Sequence, residues 1–152
     1  MPSHRNRLIT ALSWLAAGWI AWEFLYYEQF KLNAAEGSVT GVFQPLADWF
    51  GIPAHEAAIR WGVALLEIAA ATLVINQPTR WVGALLTTGL MSGAIFFHVI
   101  GPIGIDPYGD GAMLFKEACF TLSVALFLLW LHRREVPWPV ARLLPWRVAR
   151  AP

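Results

Sequence analysis

Residues 81–100 read WVGALLTTGLMSGAIFFHVI, twenty positions with no formal charge and one histidine, His98, near the end. As a helix this stretch rises about 30 Å at ~1.5 Å per residue, the thickness of a bilayer's hydrocarbon core. A strand reading fails, because an open strand in lipid leaves its backbone N–H and C=O groups unpaired. The stretch therefore predicts a membrane-spanning helix.

Working outward, three more apolar segments approach the same length: about Leu8–Tyr27, His55–Ile75 and Gly111–Leu131. They are less clean. The first carries Glu23, the second Arg60 and Glu67, and the last Lys116 and Glu117 in its first turns. Composition agrees with four spans: 57% of the 152 residues are hydrophobic and 14% charged, against roughly 25% charged in soluble domains. A soluble chain of this size has too much surface for so few charges to cover. The expected fold is all-α, a transmembrane four-helix bundle over residues 1–132 with a basic Pro- and Trp-containing tail over 133–152. The lipid bilayer is its first partner. A net charge of +1 gives no reason to expect nucleic acid. The single cysteine, Cys119, excludes an internal disulfide and, in an apolar run, reads as a buried inert thiol.

His4, Arg5 and Arg7 ahead of an apolar run resemble a signal peptide, but Trp14, Trp19 and Trp22 and the lack of a convincing small-x-small cleavage site favour a retained anchor. Orientation follows from Lys and Arg in the flanks. Arg5 and Arg7 precede the first span, Arg80 lies in the Asn76–Arg80 turn, and Arg133, Arg134, Arg142, Arg147 and Arg150 follow the last. The other two connections hold Lys31 among Glu28, Glu36, Asp48, Asp106 and Asp110. Both termini are thus expected on the cytoplasmic side of a bacterial inner membrane. Tyr26, Tyr27, Trp61, Trp81 and Trp130 mark segment ends at headgroup level.

Gly83, Thr87, Gly89, Ser92 and Gly93 recur at spacings of three and four, which lets neighbouring backbones approach and places this helix centrally. In the long outer connection, Val42–Phe50 has helical apolar spacing before the stop Gly51-Ile52-Pro53, so a short amphipathic helix is expected to cap the bundle. Gly101–Gly111 reads as a tight, structured turn.

Ionisable groups within spans cost about 2.5–3.5 kcal/mol each near a helix centre unless partnered or hydrated. By helical rise, Glu23, Arg60, His98 and Glu117 fall within about two turns of the outer ends, and Glu67 roughly 18 Å deep. Each helix thus gives a polar group to the outer half, while the inner half reads as almost purely apolar. These five residues are the candidate lining of an outward-facing pocket with Glu67 at its floor. An ordinary Arg60–Glu23 ion pair is the structural alternative, and Lys116 is expected to snorkel outward. No paired-His or HExxH spacing supports a metal, and no Gly-rich phosphate loop is present. No cofactor is identified. A quinone is physically compatible, with Phe96, Phe97 and Phe120 as aromatic walls.

The order of features resembles the DoxX-like membrane proteins: Tyr27-Glu28-Gln29-Phe30-Lys31 after the first span, Gly51-Ile52-Pro53 ending the capping segment, Gly62 to Glu67 on the second span, and an acid early in the fourth. Gly93-Ala94-Ile95-Phe96-Phe97-His98 and Gly104-Ile105-Asp106 resemble an uncharacterised branch with this architecture. The resemblance covers residues 8–132. It implies a four-helix inner-membrane fold and, for some relatives, quinone-reducing subunits of a thiosulfate-oxidising complex. Of that family's site residues it reaches only Glu67. The expected role is an accessory or redox-associated membrane subunit. A structural protein that binds a membrane or soluble partner subunit and a small-solute or proton transporter are the alternatives. Neither substrate nor oligomeric state is legible.

Overall fold

The computed structural model describes residues 4–136, with side chains from Arg7 onward. The described residues form an all-α bundle of four long helices: α1 (His4–Leu32), α4 (Glu56–Ile75), α5 (Arg80–Val99) and α6 (Met113–Leu131). All four are long and apolar enough to cross a membrane. They pack as a ring in which α1 touches α4 and α6, and α5 touches the same two. The core between them is built from small and branched side chains, among them Ala17, Ile20, Ala70, Val74, Ala84 and Leu128. The outer faces carry Leu15, Trp22, Leu65, Phe120 and Trp130, an apolar belt suited to lipid.

Three expected boundaries hold within two residues, but α1 runs five residues past Tyr27 to Leu32. No Gly or Pro interrupts Glu28–Leu32, so nothing stops the helix at the membrane surface. The long connection is helical from Glu36 rather than from Val42: α2 (Glu36–Ser38), a π-type turn (Val39–Phe43) and α3 (Gln44–Trp49). Pro45 explains the wide turn, since its ring clashes with the carbonyl four residues back, and the N–H of Gln44 bonds Val39 O instead. Phe43, Leu46 and Ala47 turn inward, and Trp49 and Phe50 pack against Phe97 of α5 with ring centroids 5.7 and 5.8 Å apart. This end of the bundle is closed by α2–α3; it is the capped end. The opposite end carries the tight turn between α4 and α5.

The connection from α5 to α6 docks on the cap. Tyr108 donates to Gly37 O at 3.0 Å, and its ring lies where a Cβ on Gly41 would be, 2.5 Å away. Asp106 accepts from the backbone N–H groups of Asp110 and Gly111 at 3.0 and 3.2 Å, and Asp110 caps α6 through Met113 N. Hydrogen bonds from the Ala112 N–H above all, then from Asp110 and Gly111, hold the Asp106 carboxyl below its usual range.

Among the small residues of α5, only Gly83 brings backbones together. A Cβ there would stand 2.5 Å from Val74 N, whereas at Gly89 or Gly93 it would meet nothing within 4 Å. Helices α4 and α5 therefore touch at Gly83, near their shared turn, while Gly89 and Gly93 face open space. The turn end is not purely apolar, contrary to the pattern of formal charges. Arg80 begins α5 and is 1% exposed. It donates to Val74 O and Ile75 O, the last carbonyls of α4, at 2.7 and 3.2 Å, and to Ser13 Oγ at 2.9 Å. Its guanidinium stacks over Trp14 at 4.0 Å. Ser13 in turn lies 2.7 Å from His132 Nε2, and His132 Nδ1 donates to Glu135 at 2.9 Å. Arg80 is thus a buried helix C-cap rather than a free loop charge. Cys119 is half-buried. Most of the basic tail, residues 137–152, and the side chains of His4 and Arg5 lie outside the described residues.

Candidate ligand-binding cavity

A cavity of about 1250 Å³ lies in the capped half of the bundle. All four long helices, the π-type turn, α3 and the α5–α6 connection line it. Its walls are mostly apolar, with Val63 from α4 and Leu86, Gly89, Leu90 and Gly93 from α5. The titratable groups on its surface are Glu23, Tyr26, Tyr27 and Lys31 of α1, Glu67 of α4, His98 of α5, and Tyr108 and Asp110 of the connection. Tyr26, Phe30 and Phe50 belong both to the wall and to the exposed surface of the bundle, so the cavity opens to the outside of the bundle.

The expected site residues divide into two groups. Glu23, Glu67 and His98 lie on the cavity wall and are each at most 6% exposed. Arg60 and Glu117 stand one bond behind it. Arg60 donates from Nε to Glu56 Oε1 at 2.7 Å, and from Nη1 to the backbone carbonyl of Lys31. Glu117 accepts the hydroxyl of Tyr27. The Arg60–Glu23 pair does not form, because Glu56 is one helical turn from Arg60, while Glu23 takes the hydroxyl of Thr121, itself held by Trp19 Nε1 at 2.9 Å. Lys116 is exposed.

Glu67 meets a partner that the sequence reading did not assign to it. The Lys31 ammonium donates to Glu67 Oε2 and also to Glu28 Oε1 at 3.3 Å. Lys31 reaches Glu67 because α1 continues past Tyr27, which puts Glu28 and Lys31 three apart on one helix face. One ammonium thus faces two carboxyl groups, which also lie within hydrogen-bond reach of each other, and Glu28 Oε2 takes no other donor among the described residues. The signal was present: Lys31 is the one basic residue of the two outer connections, in a stretch without helix breakers.

His98 adds a group of defined polarity. A carbonyl can only accept, so Nδ1 donates to Gly104 O at 2.6 Å and the neutral ring keeps Nε2 as an acceptor. What this arrangement can do is hold a molecule with an apolar body and a polar head: the volume exceeds the roughly 300–1,000 Å³ of common small-molecule sites, and the polar groups converge from separate elements. Searched against known proteins, the chain matches no family model, no curated protein and no solved structure.

Proposed function

We propose that this membrane protein binds an amphipathic small molecule that reaches it through the lipid, and that it serves as a DoxX-like accessory or redox-associated subunit of a bacterial inner membrane. The observation that carries the reading is the cavity of about 1250 Å³, which has buried polar groups on its wall and opens at the surface of the bundle. A protein whose buried charges served packing alone has no need of a cavity of this size. The basic flanks favour a capped end facing outward, so the ligand would be met in the outer leaflet. The redox part of the reading rests on the sequence resemblance, and quinone is the occupant it implies.

Cavity filling tests the binding role. Gly93→Leu adds volume where a Cβ meets no neighbour, so folding is expected to survive. Native mass spectrometry of the detergent-purified chain should show a small-molecule adduct that this variant lacks. Identical adduct patterns in both proteins, or none in either, would remove the reading. Reduction of decylubiquinone with a soluble donor, lost in Glu67→Gln, tests the redox role separately.

A further inference from the structure

His98 lies on the cavity wall with one ring nitrogen spent and the other open, and that asymmetry speaks to the class of ligand. This step rests on the cavity being a ligand site, as proposed above. The imidazole comes from the last turn of α5 and is 3% exposed. Two contacts hold it. Nδ1 donates to Gly104 O at 2.6 Å, and the ring packs on Phe115 of α6 with centroids 5.8 Å apart and planes at 65°. Gly104 sits at φ 77°, a backbone conformation that side chains rarely adopt, so the carbonyl is offered by a turn that suits glycine. The bond to that carbonyl fixes the hydrogen on Nδ1. No carboxyl group pairs with the ring among the described residues, and the neutral tautomer leaves Nε2 with a lone pair and no hydrogen.

Nε2 accepts from no group among the described residues, and protein atoms do not seal it off. It is a fixed acceptor open to a mostly apolar cavity. Neighbouring donors on the wall are already engaged. Tyr27 gives its hydroxyl hydrogen to Glu117, Tyr108 gives its own to Gly37 O, and the Lys31 ammonium is held by Glu67 and Glu28. A buried acceptor without a donor is destabilising, and native structures leave few such atoms unexplained. The missing hydrogen therefore has to arrive with the occupant. An occupant that comes through lipid and fits against Phe24, Val63, Leu86, Leu90 and Phe97 carries that hydrogen on a neutral group.

We infer that the cavity takes an uncharged apolar molecule bearing a hydroxyl, an alcohol or a phenol, whose O–H donates to His98 Nε2. An ether or a ketone offers oxygens that only accept and would set lone pair against lone pair there. His98 is then a specificity-determining residue, and Gly104 is the group that sets its polarity.

Isothermal titration of the full chain in non-ionic detergent tests this with farnesol and farnesyl methyl ether, which share an apolar body and differ in the O–H. Farnesol is expected to bind saturably and about three- to tenfold more tightly than the ether, the scale of one neutral hydrogen bond. His98→Phe keeps a ring against Phe115 and should lower farnesol to the ether's affinity while leaving the ether unchanged. In the parent protein the Nε2 resonance of isotope-labelled His98 should move with farnesol and not with the ether, a readout that stands if His98→Phe fails to fold. Equal affinities for the two probes, equal losses of both in His98→Phe, or an Nε2 resonance unmoved by bound farnesol would overturn the hydroxyl inference and leave the cavity reading intact. The same holds if neither probe binds while Gly93→Leu still removes an adduct. If neither binds and Gly93→Leu changes no adduct, both readings fall.

Discussion

Arg80 offers the sharpest test of the architecture, because its two readings predict different energies. As a free charge in a loop, its replacement would change stability by no more than about 0.5 kcal/mol. In the structure it closes the end of α4 and ties α1 to the α4–α5 turn through three hydrogen bonds and a stacked ring. Hydrogen bonds to a charged group contribute about 1.5–3 kcal/mol each, so Arg80→Met forgoes a gross sum of about 5–9 kcal/mol. Stacking on Trp14 adds about 1–2 kcal/mol. Against this, removing a buried guanidinium recovers several kcal/mol of its desolvation cost. A net loss of about 2–4 kcal/mol is expected for Arg80→Met. Arg80→Lys keeps a charge near the α4 carbonyls but not the fork that reaches Ser13 as well, so about half of that loss is expected. Both are measurable by reversible unfolding in mixed dodecyl sulfate micelles, followed by helical circular dichroism. If both variants unfold within about 0.5 kcal/mol of the parent, Arg80 is not the buried cap described and the turn-end packing is wrong.

Two further outcomes probe other parts of the fold. Gly83→Ala should cost about 1–3 kcal/mol, because its methyl would meet the α4 backbone at Val74. Gly89→Ala, which meets nothing, should be neutral or gain up to about 1 kcal/mol of helix propensity; equal costs in the same unfolding assay would mean that Gly83 is not the close contact between α4 and α5. At the capped end, Asp106 orders the α5–α6 connection as a carboxylate whose folded pKa lies below its usual 3.8. Because the folded value is depressed, its contribution is full above 3.8 and is lost as pH falls through the lower folded value. Hydrogen exchange of the Asp110 and Gly111 amides should therefore be faster in Asp106→Asn than in the parent at pH 7. The difference should shrink once the parent is taken well below pH 3.8. A pH-independent difference would show that the carboxylate charge is not what orders the turn.

How much was legible follows from what each signal measures. Hydrophobic run length reports the lipid requirement directly, so residues 81–100 and their three companions mark four spanning helices, the last three to within two residues and the first short at both ends. Run length stops reporting where the solvent changes. Glu28 and Lys31 lower local hydropathy and so looked like the start of a loop, yet backbone propensity, not hydropathy, decides whether a helix continues into the interface. Gly83, Gly89 and Gly93 look alike in sequence as well. Small size permits close approach but does not require it, and only the packing shows that the first meets α4 while the others face open space. Arg80 was read by its charge, which gives the membrane side on which an arginine sits but not whether it is solvated.

The same distinction governs the candidate site. Intramembrane charges are expensive, so their presence in the sequence does mark the half of the bundle where the cavity lies. Expense says nothing about pairing, however. Pairing depends on side-chain reach across helices, and there the five residues past Tyr27 decide the chemistry. Had α1 ended at Tyr27, Glu67 would have lost the one ammonium that it meets among the described residues. With α1 carried to Leu32, Lys31 meets Glu67 and brings Glu28 with it, so one ammonium is placed between two carboxyl groups. Glu28 is buried beside both and lies within hydrogen-bond reach of Glu67, so pairing in this cluster is set by how far α1 continues and not by the count of formal charges.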